Sequence, residues 1–79
     1  GRPRPSHVGH VTTAMPGNIV DVMVSTGQKV KAGDPVLVIE AMKMENEIQA
    51  SISGTVIALY VVKGDTVTPD QALLEIQPE

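Results

Sequence analysis

The chain has 79 residues and a formal net charge of −3, with only six lysine and arginine residues, so it lacks the basic surface that a nucleic-acid-binding protein needs to neutralise phosphates. It contains no cysteine, and Tyr60 is its one Phe, Tyr or Trp residue, which excludes disulfides, thiolate metal sites and an aromatic platform for stacking bases. No apolar run approaches the length of a membrane span, and the N-terminus lacks the apolar core of a signal peptide. These features predict one small domain without membrane insertion, in the cytoplasm or, for a eukaryotic source, in the mitochondrial matrix.

The first eight residues carry two arginines, two prolines and little that packs. They are predicted to form a flexible, extended linker, or the remnant of an expression tag, ahead of a domain over residues 9–79. His7 and His10 have a spacing that suggests a metal site, but structural zinc takes four ligands and no further ligand lies near them in sequence. We therefore expect surface or strand-edge histidines and no metal.

The apolar runs that follow are dominated by β-branched residues, which favours strands over helices. In residues 19–24 the even positions are all valine, which is the period of two that is typical of a strand. The dipeptide Pro16-Gly17 before this segment has turn chemistry, with the glycine expected at positive φ. Gly27 and Gly33 bracket a segment that is predicted to be a brief edge strand.

The second half of the chain repeats the first with an offset of 37 residues and no gap. The repeat pairs Gly17 with Gly54, Val20 with Ile57, Val22 with Leu59, Val24 with Val61, Gly27 with Gly64, Val30 with Val67, Leu37 with Leu74 and Ile39 with Ile76. One half cannot bury its strands alone, so the sequence predicts an all-β fold, a flattened β-barrel or sandwich of two four-stranded antiparallel sheets with a pseudo-twofold repeat. The predicted inward residues are Val11, Val20, Val22, Val24, Val30, Leu37, Ile39, Ile48, Ile57, Leu59, Val61, Val67, Leu74 and Ile76.

Lys43 lies between two candidate strands and is predicted to occupy an exposed hairpin tip. Met42 and Met44 flank it where Gly, Asn, Asp or Ser would normally form the turn, and flexible methionines suit a surface that another protein grips. The repeat maps Lys43 to positions 6 and 80, where the chain enters and leaves the domain. We therefore expect the lysine to point away from residues 2–6.

The tetrapeptide Ala41-Met42-Lys43-Met44, with Met15-Pro16-Gly17 upstream and Ser53-Gly54-Thr55 downstream, resembles the biotinyl (biotin carboxyl carrier) domain of biotin-dependent carboxylases and decarboxylases. The resemblance extends from His10 to Gln77. It implies covalent biotin on Lys43, attached by a biotin protein ligase, and transfer of a carboxyl group between biotin carboxylase and carboxyltransferase domains or subunits. It further implies a carrier without catalytic residues of its own, whose ligase-recognition residues are Glu40, Ala41, Met42, Met44 and Glu45.

Two other functions stay open at this point. A lipoyl domain of a 2-oxo acid dehydrogenase complex shares the duplicated β architecture and a hairpin lysine, although that family favours an acidic residue before the lysine and a small one after it. An unmodified interaction module of the same shape would leave Lys43 as surface. The acidic residues Glu40, Glu45 and Glu47 are expected to form a solvated face, because a short hairpin offers no pocket for paired carboxylate chemistry.

The parent enzyme is suggested by what the first half lacks. Carrier subunits of acetyl-CoA carboxylase often insert a proline-bearing segment there, whereas residues 20–28 align with residues 57–65 without a gap. With His7-Val8-Gly9 upstream, the chain is most similar to the C-terminal domain of a pyruvate carboxylase or of an oxaloacetate decarboxylase α-type subunit.

Overall fold

The chain folds into eight short strands. The computed structural model describes all of residues 1–79, and it contains no helix that is long and apolar enough to cross a membrane. The strands are β1 (His10–Val11), β2 (Gly17–Val22), β3 (Lys29–Val30), β4 (Pro35–Ala41), β5 (Met44–Gln49), β6 (Gly54–Leu59), β7 (Thr66–Val67) and β8 (Leu74–Pro78).

These strands form two four-stranded antiparallel sheets, in the orders β1-β8-β6-β3 and β5-β4-β2-β7. Adding 37 to the positions of β1, β2, β3 and β4 leads to β5, β6, β7 and β8, so the repeat converts one sheet order into the other. Each sheet takes strands from both halves of the chain, because neither half can cover its own apolar faces. The predicted fold class, the repeat and the brief edge strand at β3 are confirmed.

The core lies between the sheets and is built almost entirely from aliphatic side chains. Nine of the predicted inward residues are buried, namely Val11, Val24, Val30, Leu37, Ile39, Val61, Val67, Leu74 and Ile76. Val22, Ile48 and Leu59 are partly buried and pack against this cluster. Burying a Val, Leu or Ile side chain contributes about 1.5–3 kcal/mol, so this cluster makes a large contribution to holding the two sheets together.

Two predicted inward residues, Val20 and Ile57, do not join the core. The strand register shifts between Ile19 and Asp21 and again between Val56 and Ala58. A bulge of this kind adds one residue and shifts the alternation of faces, so Ile19 and Val56 turn inward while Ile57 is 44% exposed. The prediction was wrong in both halves for the same reason, since the two bulges are related by the repeat.

Gly17 and Gly54 are needed for close packing, and not for positive φ as the turn pattern predicted. Neither has a positive φ, unlike Gly27, Gly33 and Gly64. Each is the first residue of a strand. A Cβ atom at Gly17 would clash with the backbone oxygen of Glu40, and one at Gly54 would clash with that of Gln77.

The N-terminal segment packs on the domain, contrary to the expectation that it stays extended with little to bind. The Arg2 guanidinium donates hydrogen bonds to the Tyr60 carbonyl oxygen (3.1 Å) and to Asp65 Oδ2 (2.8 Å). The amide of Ala72 donates to the carbonyl oxygen of Pro3 (2.8 Å). The boundary between residues 8 and 9 stays a prediction, but residues 2 and 3 are held by specific contacts.

This segment also changes the expected position of the lysine relative to the chain entry. The hydroxyl of Ser51, beyond the end of β5 that is remote from Lys43, donates to the Val8 carbonyl oxygen (2.7 Å). From there the chain runs back, and Arg2 donates to the carbonyl oxygen of Thr66 (3.1 Å). Thr66 is opposite Asn18, which is opposite Glu40 in the sheet. Lys43 therefore points away from Val8. Arg2, in contrast, binds Thr66, which is in the same row of paired residues as Glu40.

Candidate functional site

The β4–β5 hairpin is closed by a two-residue tip, Met42 and Lys43. Ala41 and Met44 form the last pair of the ladder. Met42 has a φ of 53° and Lys43 a φ of 63°, and positive φ at both central residues is the signature of a type I′ turn. Such turns normally use Asn-Gly, and a residue other than glycine in this region costs about 1–3 kcal/mol. The chain therefore retains Met and Lys at the tip at a cost in stability.

The side chains at the tip project into solvent. Met42 is 82% exposed and Met44 is 64% exposed, so they do not fold back onto the core. Lys43 is exposed as well, and the three ion pairs of the structure join other residues. An amine placed this way is accessible for acylation, so the tip fits a covalently attached cofactor.

The other predicted recognition residues surround the tip. Glu40 and Glu45 lie directly opposite each other on neighbouring strands, an arrangement of like charges that destabilises a sheet. Ala41 is only 5% exposed, so its side chain offers little surface to a partner. Glu47 is opposite Val38 and exposed. The structure thus brings the predicted residues together on one hairpin, with an acidic rim and an apolar tip.

A groove of about 210 Å³ lies beside this hairpin. Its lining residues are Thr13, Ala14, Met15, Ile39, Ala41, Asn46, Glu47 and Ile48. The segment before β2 forms one wall, and the Thr13 hydroxyl holds it in place by donating to the Met15 carbonyl oxygen (2.8 Å). Sequence reasoning missed this groove. One signal was available, because Asn46 is a polar residue at a position that the alternation with Ile48 directs inward.

The histidines meet a third polar residue that sequence reasoning could not find. Glu75 on β8 has Oε2 at 3.0 Å from His7 Nε2 and Oε1 at 3.4 Å from His10 Nε2. The Nδ1 atoms accept backbone N–H bonds, from Gly9 to His7 (3.2 Å) and from Ser6 to His10 (3.0 Å). A metal-binding histidine normally donates a hydrogen bond through its other ring nitrogen. The cluster therefore does not fit a metal ion, and it fastens the N-terminal segment to β8.

The clearest pKa shifts lie away from the hairpin. Burial, with a smaller contribution from the Glu75 carboxylate, raises the pKa of the Tyr60 hydroxyl. The pKa of Asp65 is lowered, first because the backbone N–H of Val62 donates to its carboxylate and then because Arg2 does. These groups stabilise loops and the N-terminal segment, and they do not converge on Lys43.

Comparison with known proteins gives the class of this domain. The family model described as "Biotin-requiring enzyme" matches residues 9–76. The chain is 53% identical over 77 residues to the large subunit of 2-oxoglutarate carboxylase from Hydrogenobacter thermophilus, covering 98% of the chain and 12% of that protein. It is 45% identical over 73 residues to pyruvate carboxylase from Staphylococcus aureus, covering 92% and 6%. It is 47% identical over 62 residues to the biotin carboxyl carrier protein of Streptococcus mutans, covering 78% and 48%.

Solved structures agree with this result. Urea carboxylase from Kluyveromyces lactis superimposes with a TM-score of 0.82 and 30% identity, over 92% of the chain and 6% of that protein. The chain belongs to the family of biotin-requiring enzymes. Within it, the chain is a biotin carboxyl carrier domain whose cofactor is covalently attached biotin. This outcome selects the carrier domain over the lipoyl domain and the unmodified module. The chain spans only 6% and 12% of the S. aureus and H. thermophilus carboxylases.

Proposed function

We propose that Lys43 is the residue that carries biotin, and that the domain moves a carboxyl group between a biotin carboxylase site and a carboxyltransferase site. The observation that carries this proposal is the tip geometry. Of the four lysines, Lys29, Lys31, Lys43 and Lys63, only Lys43 lies in the positive-φ turn of a hairpin. Its amine stands on the longest β-hairpin, clear of ion pairs.

The attachment is an acyl transfer to an amine. The uncharged ε-amine of Lys43 attacks the activated carboxyl carbon of biotinyl-adenylate, the new N–C bond forms, adenylate leaves and the amine loses its proton. A lysine ammonium group has no lone pair with which to attack a carboxyl carbon, so a biotin protein ligase must supply the base that removes its proton. The amide removes one positive charge, and the formal net charge changes from −3 to −4 (−3 − 1 = −4).

The hairpin supplies recognition and position, and the attached cofactor supplies a ureido nitrogen that accepts a carboxyl group. Met42 and Met44 present flexible apolar surface to the ligase, and Glu40 and Glu45 give that surface an acidic rim. The type I′ turn restrains the backbone at Lys43, so a partner meets the backbone of the tip in one conformation. Tethering to a larger enzyme would raise the local concentration of this group at both active sites.

The proposed parent is a carboxylase or decarboxylase that acts on a 2-oxo acid, of the pyruvate carboxylase or oxaloacetate decarboxylase α-subunit type. Support comes from the printed names of two relatives, a pyruvate carboxylase and a 2-oxoglutarate carboxylase. The chain itself is the non-catalytic carrier in this proposal. Its partners would be the biotin protein ligase and the two catalytic domains or subunits of the parent.

Intact-mass and peptide mass spectrometry of the chain produced with a biotin protein ligase tests the attachment site. We expect one biotinyl group on Lys43, and none on a Lys43→Arg variant with an unchanged circular dichroism spectrum. Lys63→Arg is the matched control, because Lys63 is exposed in a loop, and it should be modified fully. A biotinyl group on another lysine, or a lipoyl group on Lys43, would contradict the proposal.

A further inference from the structure

The groove beside the hairpin has a composition that attachment at Lys43 does not explain. It is mainly apolar, with the side chains of Ile39, Ala41 and Ile48 among its lining residues. Asn46 is opposite Ile39 on β5, so its side chain is on the core-facing side of an edge strand. Polar residues at such positions are normally avoided unless they have a function. Asn46 is nevertheless exposed, which leaves its amide free to bind a ligand in the groove.

We propose that this groove binds the bicyclic ring of the biotinyl group that is attached to Lys43 of the same chain. The proposal rests on the attachment proposed above. The apolar lining suits the sulfur-containing ring. The Asn46 amide has one acceptor and two donors, and it can donate to the ureido oxygen while it accepts a ureido N–H.

The size of the groove sets which part of the cofactor it binds. Pockets for drug-sized ligands have volumes of about 300–1,000 Å³, and this groove has about 210 Å³. It accommodates a compact bicyclic ring and leaves the flexible arm outside. Met15, 39% exposed at the wall of the groove, is an adaptable side chain that can cover an apolar ring.

The tether makes a weak site sufficient. Lys43 lies two residues after Ala41 and three residues before Asn46, and both of these residues line the groove. The lysine side chain and the pentanoyl chain together are long enough to fold back over this short distance. A short flexible tether produces an effective concentration of about millimolar order, so a site with a dissociation constant of that order is about half occupied. Such a site releases the ring readily to a partner enzyme.

Nuclear magnetic resonance of the isotope-labelled 79-residue chain tests the proposal, after intact mass has established that Lys43 carries biotin. We expect nuclear Overhauser effects from the ring protons to the methyl groups of Met15, Ile39 and Ile48, and a shift of the Asn46 side-chain amide signals on modification. Chemical-shift changes on modification that are confined to residues 42–44 would overturn the groove proposal. Absence of the added mass on Lys43 would instead overturn the proposed attachment, so the two failures are distinguishable.

Variants of the biotinylated chain provide a second readout, the rate of capture by streptavidin in stopped flow. Ala14 is exposed and lines the groove, so Ala14→Leu fills the site without removing a hydrogen bond. Because the ring occupies the groove for about half of the time, keeping it out of the groove should raise the capture rate by about twofold. Asn46→Ala should raise it by a smaller factor. Gln49→Ala is the matched control, on the same strand but outside the groove, and should leave the rate unchanged. Equal rates for the parent chain and Ala14→Leu would overturn the proposal.

Discussion

The two halves of the molecule share close backbone contacts and turns at equivalent glycines, and they differ at the end of one strand. Gly17 and Gly54 are related by the repeat, and so are the two carbonyl groups, of Glu40 and Gln77, that leave no room for a Cβ atom at them. Gly27 and Gly64 have φ values of 95° and 96°. The duplicated positions are therefore those that determine packing and turns.

The halves diverge where β4 and β8 end. β4 continues into the tip and returns as β5, whereas β8 ends beside Ser53, whose carbonyl oxygen accepts a bond from the amide of Glu79 (3.4 Å). Exposed methionines and two residues with positive φ occur where β4 ends. The scaffold follows the repeat, and the candidate site lies where the repeat is broken.

The largest expected effect comes from a β-branched residue at the close contacts that the halves share. Gly54→Val forces a Cβ atom into the backbone oxygen of Gln77, and we expect a loss of at least about 3 kcal/mol in the free energy of unfolding, measured by urea denaturation. Gly17→Val should cause a similar loss through Glu40. Thr55→Val, the next residue on β6, is the control and should change stability by less than about 1 kcal/mol. Unchanged stability of both glycine variants would show that the strands do not approach as closely as described.

Substitutions in the core test whether the two halves contribute equally to its stability. Leu37 and Leu74 are related by the repeat and fully buried, so Leu37→Ala and Leu74→Ala should each cost about 2–5 kcal/mol and differ by little. Ile57→Ala, at a 44% exposed position, should cost less than either. A large difference between the two leucine variants in the free energy of unfolding, measured by urea denaturation, would mean that one half dominates folding. The two halves would then be equivalent in geometry but not in energy.

The sequence predicted the fold because the 37-residue repeat relates the four strands of one half to those of the other, and because apolar residues alternate in residues 19–24. It predicted the tip because Lys43 lies between two candidate strands, and the flanking methionines indicated a surface for a partner. It did not predict the bulges at Val20 and Ile57, since a bulge depends on pairing with a neighbouring strand and leaves the local pattern unchanged. The repeat then carried the same error into the second half.

Long-range contacts account for the other differences. Glu75 meets His7 and His10 only because β8 lies beside β1, a proximity that no local spacing encodes. The contacts of Arg2 join residues about 60 positions apart. The groove likewise requires the segment before β2 to lie against the β4–β5 hairpin, so only Asn46 hinted at it.

Relieving the strained tip should improve stability and harm recognition. Met42→Asn places a residue that tolerates positive φ at the first turn position, and we expect a gain of up to about 1 kcal/mol in the free energy of unfolding. The same change should slow biotinylation, measured by intact mass over time, because an apolar contact for the ligase is lost. Met44→Asn is the matched control for strain. Met44 has no positive φ, so its variant should slow biotinylation without a gain in stability. Equal stability changes in the two variants would show that the turn is not strained.

The smallest expected effect distinguishes two equivalent turns by their charge. The carboxylate of Asp65 accepts the backbone N–H of Val62 (2.9 Å), and its repeat partner Gln28 accepts that of Ser25 (3.1 Å) through a neutral amide. The pKa of Asp65 is lowered in the folded state, chiefly by this bond and then by Arg2. Its contribution to stability is therefore complete above the unfolded pKa of 3.8 and is lost as the pH falls through the folded value. Thermal unfolding measured from about pH 5 to about pH 2 tests this contribution. The difference in melting temperature between the unmutated chain and Asp65→Asn should become smaller as the pH falls. Gln28→Glu should add a similar acid dependence of stability to the first half. If the difference in melting temperature between the unmutated chain and Asp65→Asn does not change with pH, the Asp65 carboxylate does not stabilise its turn.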